Sequence, residues 1–362
     1  MTAPEDNRTV NFRLSTPDDM HLATYDNTKL VAINTCPTWG ILRYQMHKRM
    51  GGSGRALALE CGSAMHEVFA WVRLCTLAAQ QRTETATSDV WNYHGARLFG
   101  KERFQSITQE VETAATILDM CKRGAIAVLD TCGYYDDPRD KRRTLSNMEE
   151  CAYAYIDRWK WDQHVWMRNP NDPFGDVGIE IPFDVVVEVQ DAHKAFRYTG
   201  KIDGIHYRNH THTTLVLHDN KTAARLNDAW SMQWALASQI TGYCLAASVF
   251  TEQDVRQAEV LGLSIPLPKT YDYGGIVREP VTRKDYHFTR WVSWLLHTIK
   301  LCEENADNPY DAPKYTHSCN RYFRSCSLIP FCDSDVDEQR LIVKEMEHDE
   351  WSPLHPVVEG ET

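Results

Sequence analysis

Two aspartates and a lysine give this chain its clearest chemical potential. Asp203 lies in Gly200-Lys201-Ile202-Asp203-Gly204, and Asp219 and Lys221 lie in His218-Asp219-Asn220-Lys221-Thr222. Mg²⁺ and Mn²⁺ need hard oxygen ligands in a near-octahedral array, and two aspartates with a backbone carbonyl and waters meet that need. Lys221 stands two residues beyond Asp219, so on a strand both side chains leave the same face. An ammonium there orients an attacking water or offsets charge on a phosphorane-like transition state. A second chemical set is made of thiols: Cys319-x6-Cys326-x5-Cys332 near the C-terminus, with Cys36 far upstream. Four thiolates suit either a [4Fe-4S] cluster or zinc.

These groups depend on elements that hold them. After Phe174 the texture turns β-rich, and Ile179 to Val189, Phe196 to Tyr207 and Thr213 to His218 read as three consecutive strands separated by polar turns. Asp203 and Asp219 are sixteen positions apart, a span suited to a hairpin that brings both carboxylates to one end of a sheet. A helix is expected from Asp228, as N-cap, through Ala247, then strands at Ala258 to Ser264 and Tyr273 to Val277, then a helix at Asp285 to Glu304. Residues 56 to 82 and 88 to 165 carry Ala, Leu, Glu, Arg and aromatics at helical spacing and read as several helices. Val336 to Trp351 is acidic and reads as a surface helix with a loose tail. The chain as a whole reads as one unit with an insertion.

Composition sets the outer bounds. The 362 residues are 43% hydrophobic and 25% charged, those of an ordinary globular protein with a large core. No apolar leader opens the chain and no stretch is long enough to cross a bilayer, so a soluble, cytoplasmic protein is expected. Eleven cysteines, an odd number without a secretion signal, favour ligation or buried thiols over a disulfide framework. Cys61, Cys75, Cys121, Cys132, Cys151, Cys244 and Cys302 fall mostly in apolar or helical surroundings and read as small hydrophobes.

The net charge of −11 argues against nonspecific coating of nucleic acid, yet its distribution is uneven. Asn27 to Leu59 contains no acid but carries Lys29, Arg43, Lys48, Arg49 and Arg55; Ala312 to Cys332 again has none, with Lys314, Arg321 and Arg324. Both stretches carry the cysteines of the four-thiol set. Were those cysteines to meet, the two stretches would form one basic groove able to displace counterions from phosphates, with Trp39, Tyr44, Tyr322 and Phe323 available to stack on bases. The plainer alternatives are a coincidence of surface charge and ordinary core packing of the aromatics.

Asp203 followed by Asp219-x-Lys221 resembles the motif of the PD-(D/E)XK nuclease superfamily, and flanking residues narrow the resemblance to its RecB-like exonuclease branch. Gly62-Ser63-Ala64-Met65-His66 is similar to that branch's helix-borne histidine, Glu180 stands where a glutamate often opens its first core strand, and Gln239-Ile240-Thr241-Gly242-Tyr243 is similar to its Gln-x-x-x-Tyr motif. Taken singly, each has a plainer reading: a solvated strand end, a structural histidine, a helix face with polar tips. The ordered set is far more specific.

The resemblance implies an α/β fold: a restriction-endonuclease-like mixed sheet flanked by helices, with a helical insertion and a cluster-bound lobe joining the two ends of the chain. It implies residues 1–75 as an N-terminal segment, 76–177 as the insertion, 178–310 as the nuclease core, 311–335 as the cluster segment and 336–362 as an acidic tail. His66, Asp203 and Asp219 with the Asn220 carbonyl are then expected to hold Mg²⁺ or Mn²⁺, Lys221 to position water, and Glu180 to act through a bound water or a second ion. Gln239 and Tyr243 are expected to hold the scissile phosphate or the strand.

Cys36-Pro37, followed by Trp39 and Tyr44, is similar to the Cys-Pro-aromatic entry of this branch. In the subgroup that includes AddB-type recombination nucleases and CRISPR-associated exonucleases, one N-terminal and three C-terminal cysteines bind [4Fe-4S]. The six residues between Cys319 and Cys326 exceed the interval of the commoner form and are closer to phage-type relatives. The expected activity is metal-dependent DNA exonucleolysis on single strands or duplex ends, serving recombination, phage DNA processing or CRISPR adaptation, with a recombination or CRISPR protein as partner. The alternative is a non-catalytic DNA-end-binding or assembly subunit that keeps the fold and cluster.

Overall fold

A computed structural model describes residues 10–51, 56–80, 87–159, 177–190, 194–208, 214–268, 275–306, 308–321 and 324–352. From the N-terminus run β1 (Val10–Leu14), β2 (Thr24–Asp26), α1 (Asn27–Thr35), the single turn α2 (Pro37–Gly40) and β3 (Lys48–Arg49). Five helices follow: α3 (Leu57–Gln80), α4 (Thr87–Phe99), α5 (Lys101–Val111), α6 (Ile117–Thr131) and α7 (Leu145–Trp159). Next come β4 (Ile179–Val189), β5 (Lys194–Tyr207), β6 (Leu215–Ala223), α8 (Asp228–Met232), α9 (Ser238–Thr251), β7 (Gln257–Ser264), β8 (Ile276–Thr282) and α10 (Asp285–Glu304). The C-terminal part holds β9 (Asn320–Arg321), β10 (Arg324–Ser325), α11 (Ile329–Cys332), α12 (Val336–Glu345) and β11 (Glu347–His348).

The protein is mixed α/β. Its main sheet has the strand order β1-β4-β5-β6-β7-β8, with β2 beside β5. β1–β4, β5–β6 and β7–β8 are antiparallel, whereas β2–β5 and β6–β7 are parallel. The chain divides into two compact units: one from Met1–Arg55, Pro182–Gly200 and Asp285–Thr362, the other from Ala56–Ile181 and Lys201–Lys284. The segment boundary expected after residue 75 falls inside α3. No helix among the described residues is long and apolar enough to cross a membrane.

The second unit has the larger core. Trp71 on α3 is wholly buried, and Gly124 on α6 lets it in: a Cβ there would sit 2.1 Å from the indole. Phe69 of the same helix packs edge-on against Tyr155 of α7 with ring centroids 4.7 Å apart. Burying rings of this size contributes on the order of 3–5 kcal/mol each against truncation, which fixes α3 and with it the histidine it carries. At β6 the sequence alternates so that Asp219 and Lys221 share one face while His218 and Asn220 share the other. The strand runs through Ala223, five residues beyond its expected end, so the whole Asp-Asn-Lys run lies inside the sheet.

The first unit is stitched by capping and ion pairs. Asp26 caps α1 by accepting the Lys29 N–H at 3.0 Å, and its other oxygen accepts the Trp351 indole N–H at 3.0 Å. Thr38 Oγ1 donates to the Ala312 carbonyl at 3.0 Å, tying the turn after Cys36 to the segment that leads to Cys319. Leu42, Leu328, Phe331, Val343 and Met346 form a small core against which Trp39, Cys326 and Cys332 pack.

Candidate functional site

All residues of the expected metal and lysine set lie in the second unit, and most of them meet. His66 projects from α3 with Nδ1 3.4 Å from Asp203 Oδ1. The regular pairing of β5 with β6 stops at Gly204 opposite His218, and beyond it the Asp203 carboxylate replaces the ladder: Oδ2 accepts the Asn220 N–H at 2.6 Å. Lys221 Nζ sits 3.0 Å and 2.9 Å from the two oxygens of Asp219, and Gln239 Nε2 at the start of α9 donates to Asp219 Oδ1 at 3.3 Å. Tyr243, one turn further along α9, is buried.

Glu180 completes the group. It has a left-handed backbone (φ 47°), a conformation that costs a non-glycine residue free energy and persists only where its surroundings impose it. Arg97 of α4 braces it, donating to the carbonyls of Ile179 at 2.8 Å and Glu180 at 3.2 Å. The ligand atoms of His66, Glu180 and Asp203 all lie within 4.8 Å of one another. Glu180 thus stands beside His66 and Asp203, while Asp219, expected as their co-ligand, is engaged by Lys221 and Gln239. Glu180 Oε1 is buried without a hydrogen-bond partner, and Oε2 pairs with Lys201 at 2.7 Å. An unsatisfied buried acceptor among an imidazole and a second carboxylate suits a divalent cation, so the donor set fits Mg²⁺ or Mn²⁺.

The charges are strongly coupled. Burial disfavours the charged form of His66, but the charge of Asp203 and the hydrogen bond to it outweigh that, and the imidazole's pKa is raised. Burial pushes the Asp203 carboxyl up, yet His66, Lys221 and the Asn220 N–H together hold it well below the usual carboxylate range. For Asp219, burial and the neighbouring Asp203 charge prevail over Lys221, and its pKa is raised. Lys221 is penalised by burial but held charged by Asp219 and Asp203.

Three supporting residues were not picked out from sequence: Arg73, Arg97 and Lys201. Arg73 of α3 donates to the Asp203 carbonyl, and Gly204 makes room for it, since a Cβ there would lie 2.9 Å from the guanidinium carbon. Lys201 carried a signal, standing two residues before Asp203 in the quoted motif. Arg73 and Arg97 carried none, because one lies among the apolar residues of a helix and the other in the region taken as an insertion.

The four-thiol set lies entirely in the first unit. Cys36 separates α1 from α2, and Cys332 ends α11. Between Cys319 and Cys326, β9 and β10 pair antiparallel, and the Cys326 N–H donates to the Cys319 carbonyl at 2.7 Å. All four thiols are partly exposed, whereas Cys61, Cys75, Cys121, Cys151, Cys244 and Cys302 are buried, as expected for packing residues. Burial first, and then the neighbouring Cys36, Cys326 and Cys319, push the Cys332 thiol up to about 11. Among the described residues, no three cysteine sulfurs lie within 4.8 Å of one another. Four thiols are of the donor type and number that an iron-sulfur cluster or zinc takes, but their sulfurs are not gathered at ligand spacing.

In the described part of the basic groove expected from the acid-free stretches, Arg43 and Arg49 already face an acid. Arg43 donates to the Asp349 carbonyl at 2.7 Å and pairs with its carboxylate at 2.8 Å, and Arg49 stands 3.6 Å from the same carboxylate. Lys48 and Arg49 form β3, which pairs with β11 and so brings Asp349, at the far end of the chain, to Arg43 and Arg49. Trp39, Tyr44 and Trp351 pack edge to face in series, with centroids 5.9 Å and 5.6 Å apart, and are not a free stacking platform. Arg55, Tyr322 and Phe323, together with the side chains of Arg321 and Arg324, lie outside the described residues.

Neither a scan of the chain against models of protein families nor a search of curated proteins finds a match.

Proposed function

We propose that this chain is a divalent-metal-dependent DNA nuclease of PD-(D/E)XK type, with a restriction-endonuclease-like core and a thiolate-bound [4Fe-4S] cluster. One observation carries the reading: His66, Glu180 and Asp203 bring their ligand atoms within 4.8 Å of one another beside the Asp219–Lys221 pair. His66, Glu180 and Asp203 would hold Mg²⁺ or Mn²⁺, with Asp219 and the Asn220 carbonyl as further donors. The ion, when bound, supplies Lewis acidity at a phosphodiester and acidifies water.

The chain's own groups do the rest. Lys221, held against Asp219, offers an ammonium that orients the attacking water and offsets charge on the phosphoryl oxygens as the water oxygen bonds to phosphorus and the bond to the leaving oxygen breaks. Gln239 fixes Asp219, Arg73 fixes the Asp203 backbone, and Arg97 holds the strained turn at Glu180. Burial of the carboxylates, with His66 and Lys221 partly exposed, gives a dry floor and a polar rim. Tyr243 would steady the substrate strand from α9. The cysteines would hold a structural cluster that closes a loop of roughly 280 residues, lowering the entropy of the unfolded chain.

The test is hydrolysis of end-labelled single-stranded and duplex DNA with either end blocked, with and without Mn²⁺. Metal-dependent cleavage by the wild type and its loss in Lys221→Ala support the reading. Retained DNA binding with no cleavage by either would identify an end-binding subunit, and equal cleavage by both would sink the proposal.

A further inference from the structure

We propose a second metal site in the same unit, made by His206, His218 and Glu259 and suited to Zn²⁺. The ligand atoms of these three residues also lie within 4.8 Å of one another, and they come from three adjacent strands, β5, β6 and β7. Register explains the meeting: His218 stands opposite Gly204 on β5 and opposite Glu259 on β7, and His206 lies two residues beyond Gly204 on the same face. The two imidazole rings are 5.6 Å apart, and His218 Nδ1 is 3.9 Å from Glu259 Oε2. His218 is 1% exposed, while His206 and Glu259 are half-buried, leaving a side open to water.

Two imidazole nitrogens and one carboxylate oxygen make the borderline donor set that zinc prefers over Mg²⁺, with a water as fourth ligand. Arg278 Nε lies 3.4 Å from the same Glu259 oxygen, so it now supplies the counter-charge that the metal would supply instead. A zinc ion here would pin three strands together at the residue immediately before Asp219. His218 and Asp219 leave opposite faces of β6, so this ion is separate from one held by His66, Glu180 and Asp203. The inference does not rest on the nuclease reading.

The test is zinc binding by the full chain, purified with its cysteine-bound metal intact and equilibrated in a zinc buffer, read by metal analysis and by the zinc-dependent rise in melting temperature. Wild type and His66→Ala should take up one zinc equivalent that His206→Gln and Glu259→Gln lack or bind at least tenfold more weakly. Arg278→Gln, freed of the competing cation, should bind it more tightly. Melting without added zinc checks that each variant is folded, and half-exposed His206 is the safer position to change. Equal uptake by wild type and His206→Gln, or loss of the equivalent in His66→Ala instead, overturns the proposal.

Discussion

The carboxylate site and the thiol set draw on distant parts of the sequence, but they handle charge in opposite ways. At the carboxylate site each acid already has a compensating group: Lys201 for Glu180 at 2.7 Å, Lys221 for Asp219 at 2.9 Å, and His66 and the Asn220 N–H for Asp203 at 3.4 Å and 2.6 Å. Among the thiols, burial instead raises Cys326 and pushes Cys332 up to about 11, with Lys314 only partly opposing it. The difference follows from solvation. A buried carboxylate is expensive without a counter-charge, so the fold must supply one before any ion arrives. A thiol can stay protonated and wait, because metal binding itself removes the proton and draws the sulfurs together. One set is already held together by protein cations, and the other, on the proposed reading, would be drawn together by a metal.

The largest effect should come from the pre-assembled side. Lys221→Ala removes the ammonium that both compensates Asp219 and faces the substrate, and cleavage of labelled DNA should fall by about 10²–10³-fold or more, as when a transition-state donor is deleted. Cys36→Ser breaks the contrast from the other side. It should leave the sequence of the carboxylate site intact yet lower the melting point and the iron content of anaerobically purified protein, a loss on the order of several kcal/mol. An unchanged melting point would remove the structural role given to the thiols.

Arg97→Leu frees the two carbonyls by which Arg97 holds the left-handed backbone at Glu180. About tenfold weaker Mn²⁺ binding, measured by calorimetry, is expected from a change of this second-layer kind. Lys201→Met should matter least: its side chain is 50% exposed, so water and the neighbouring His66 take over part of the compensation of Glu180, and a screened pair of this sort contributes about 1 kcal/mol. In apo protein its melting point should barely move. A large drop would mean that Glu180 depends on Lys201 alone.

How much of this was legible in sequence varies by element. Strand β4 was readable from its Val- and Ile-rich run, and β5 and β7 from apolar and aromatic residues bounded by polar turns. β1 was not, since only Val10 of its five residues is buried and its pairing with β4 is a tertiary fact. β8 runs Ile276–Thr282, later than the expected 273–277. The helix expected over 228–247 is broken, because Ala237 adopts an extended backbone (φ −60°, ψ 120°) between a 3₁₀ turn and α9, and its cap is Asn227, whose Oδ1 accepts the Trp230 N–H at 3.1 Å. That break sets Gln239 at the start of α9, within reach of Asp219.

The site itself was mostly legible as an ordered set of residue types, whereas the division of labour within it was not. Sequence spacing pairs Asp203 with Asp219, but the strained turn held by Arg97 brings Glu180 forward. The basic stretch around Arg43 and Arg49 misled for a related reason: local charge says nothing of an acid 300 residues away that pairs with it through β11.

Diffraction from crystals soaked in Mn²⁺, collected at the manganese absorption edge, tests the central claim most directly. An anomalous peak about 2.1 Å from donor atoms of His66, Glu180 and Asp203 is the expected result. A fully occupied manganese peak elsewhere, with those three side chains left as they stand, would contradict it.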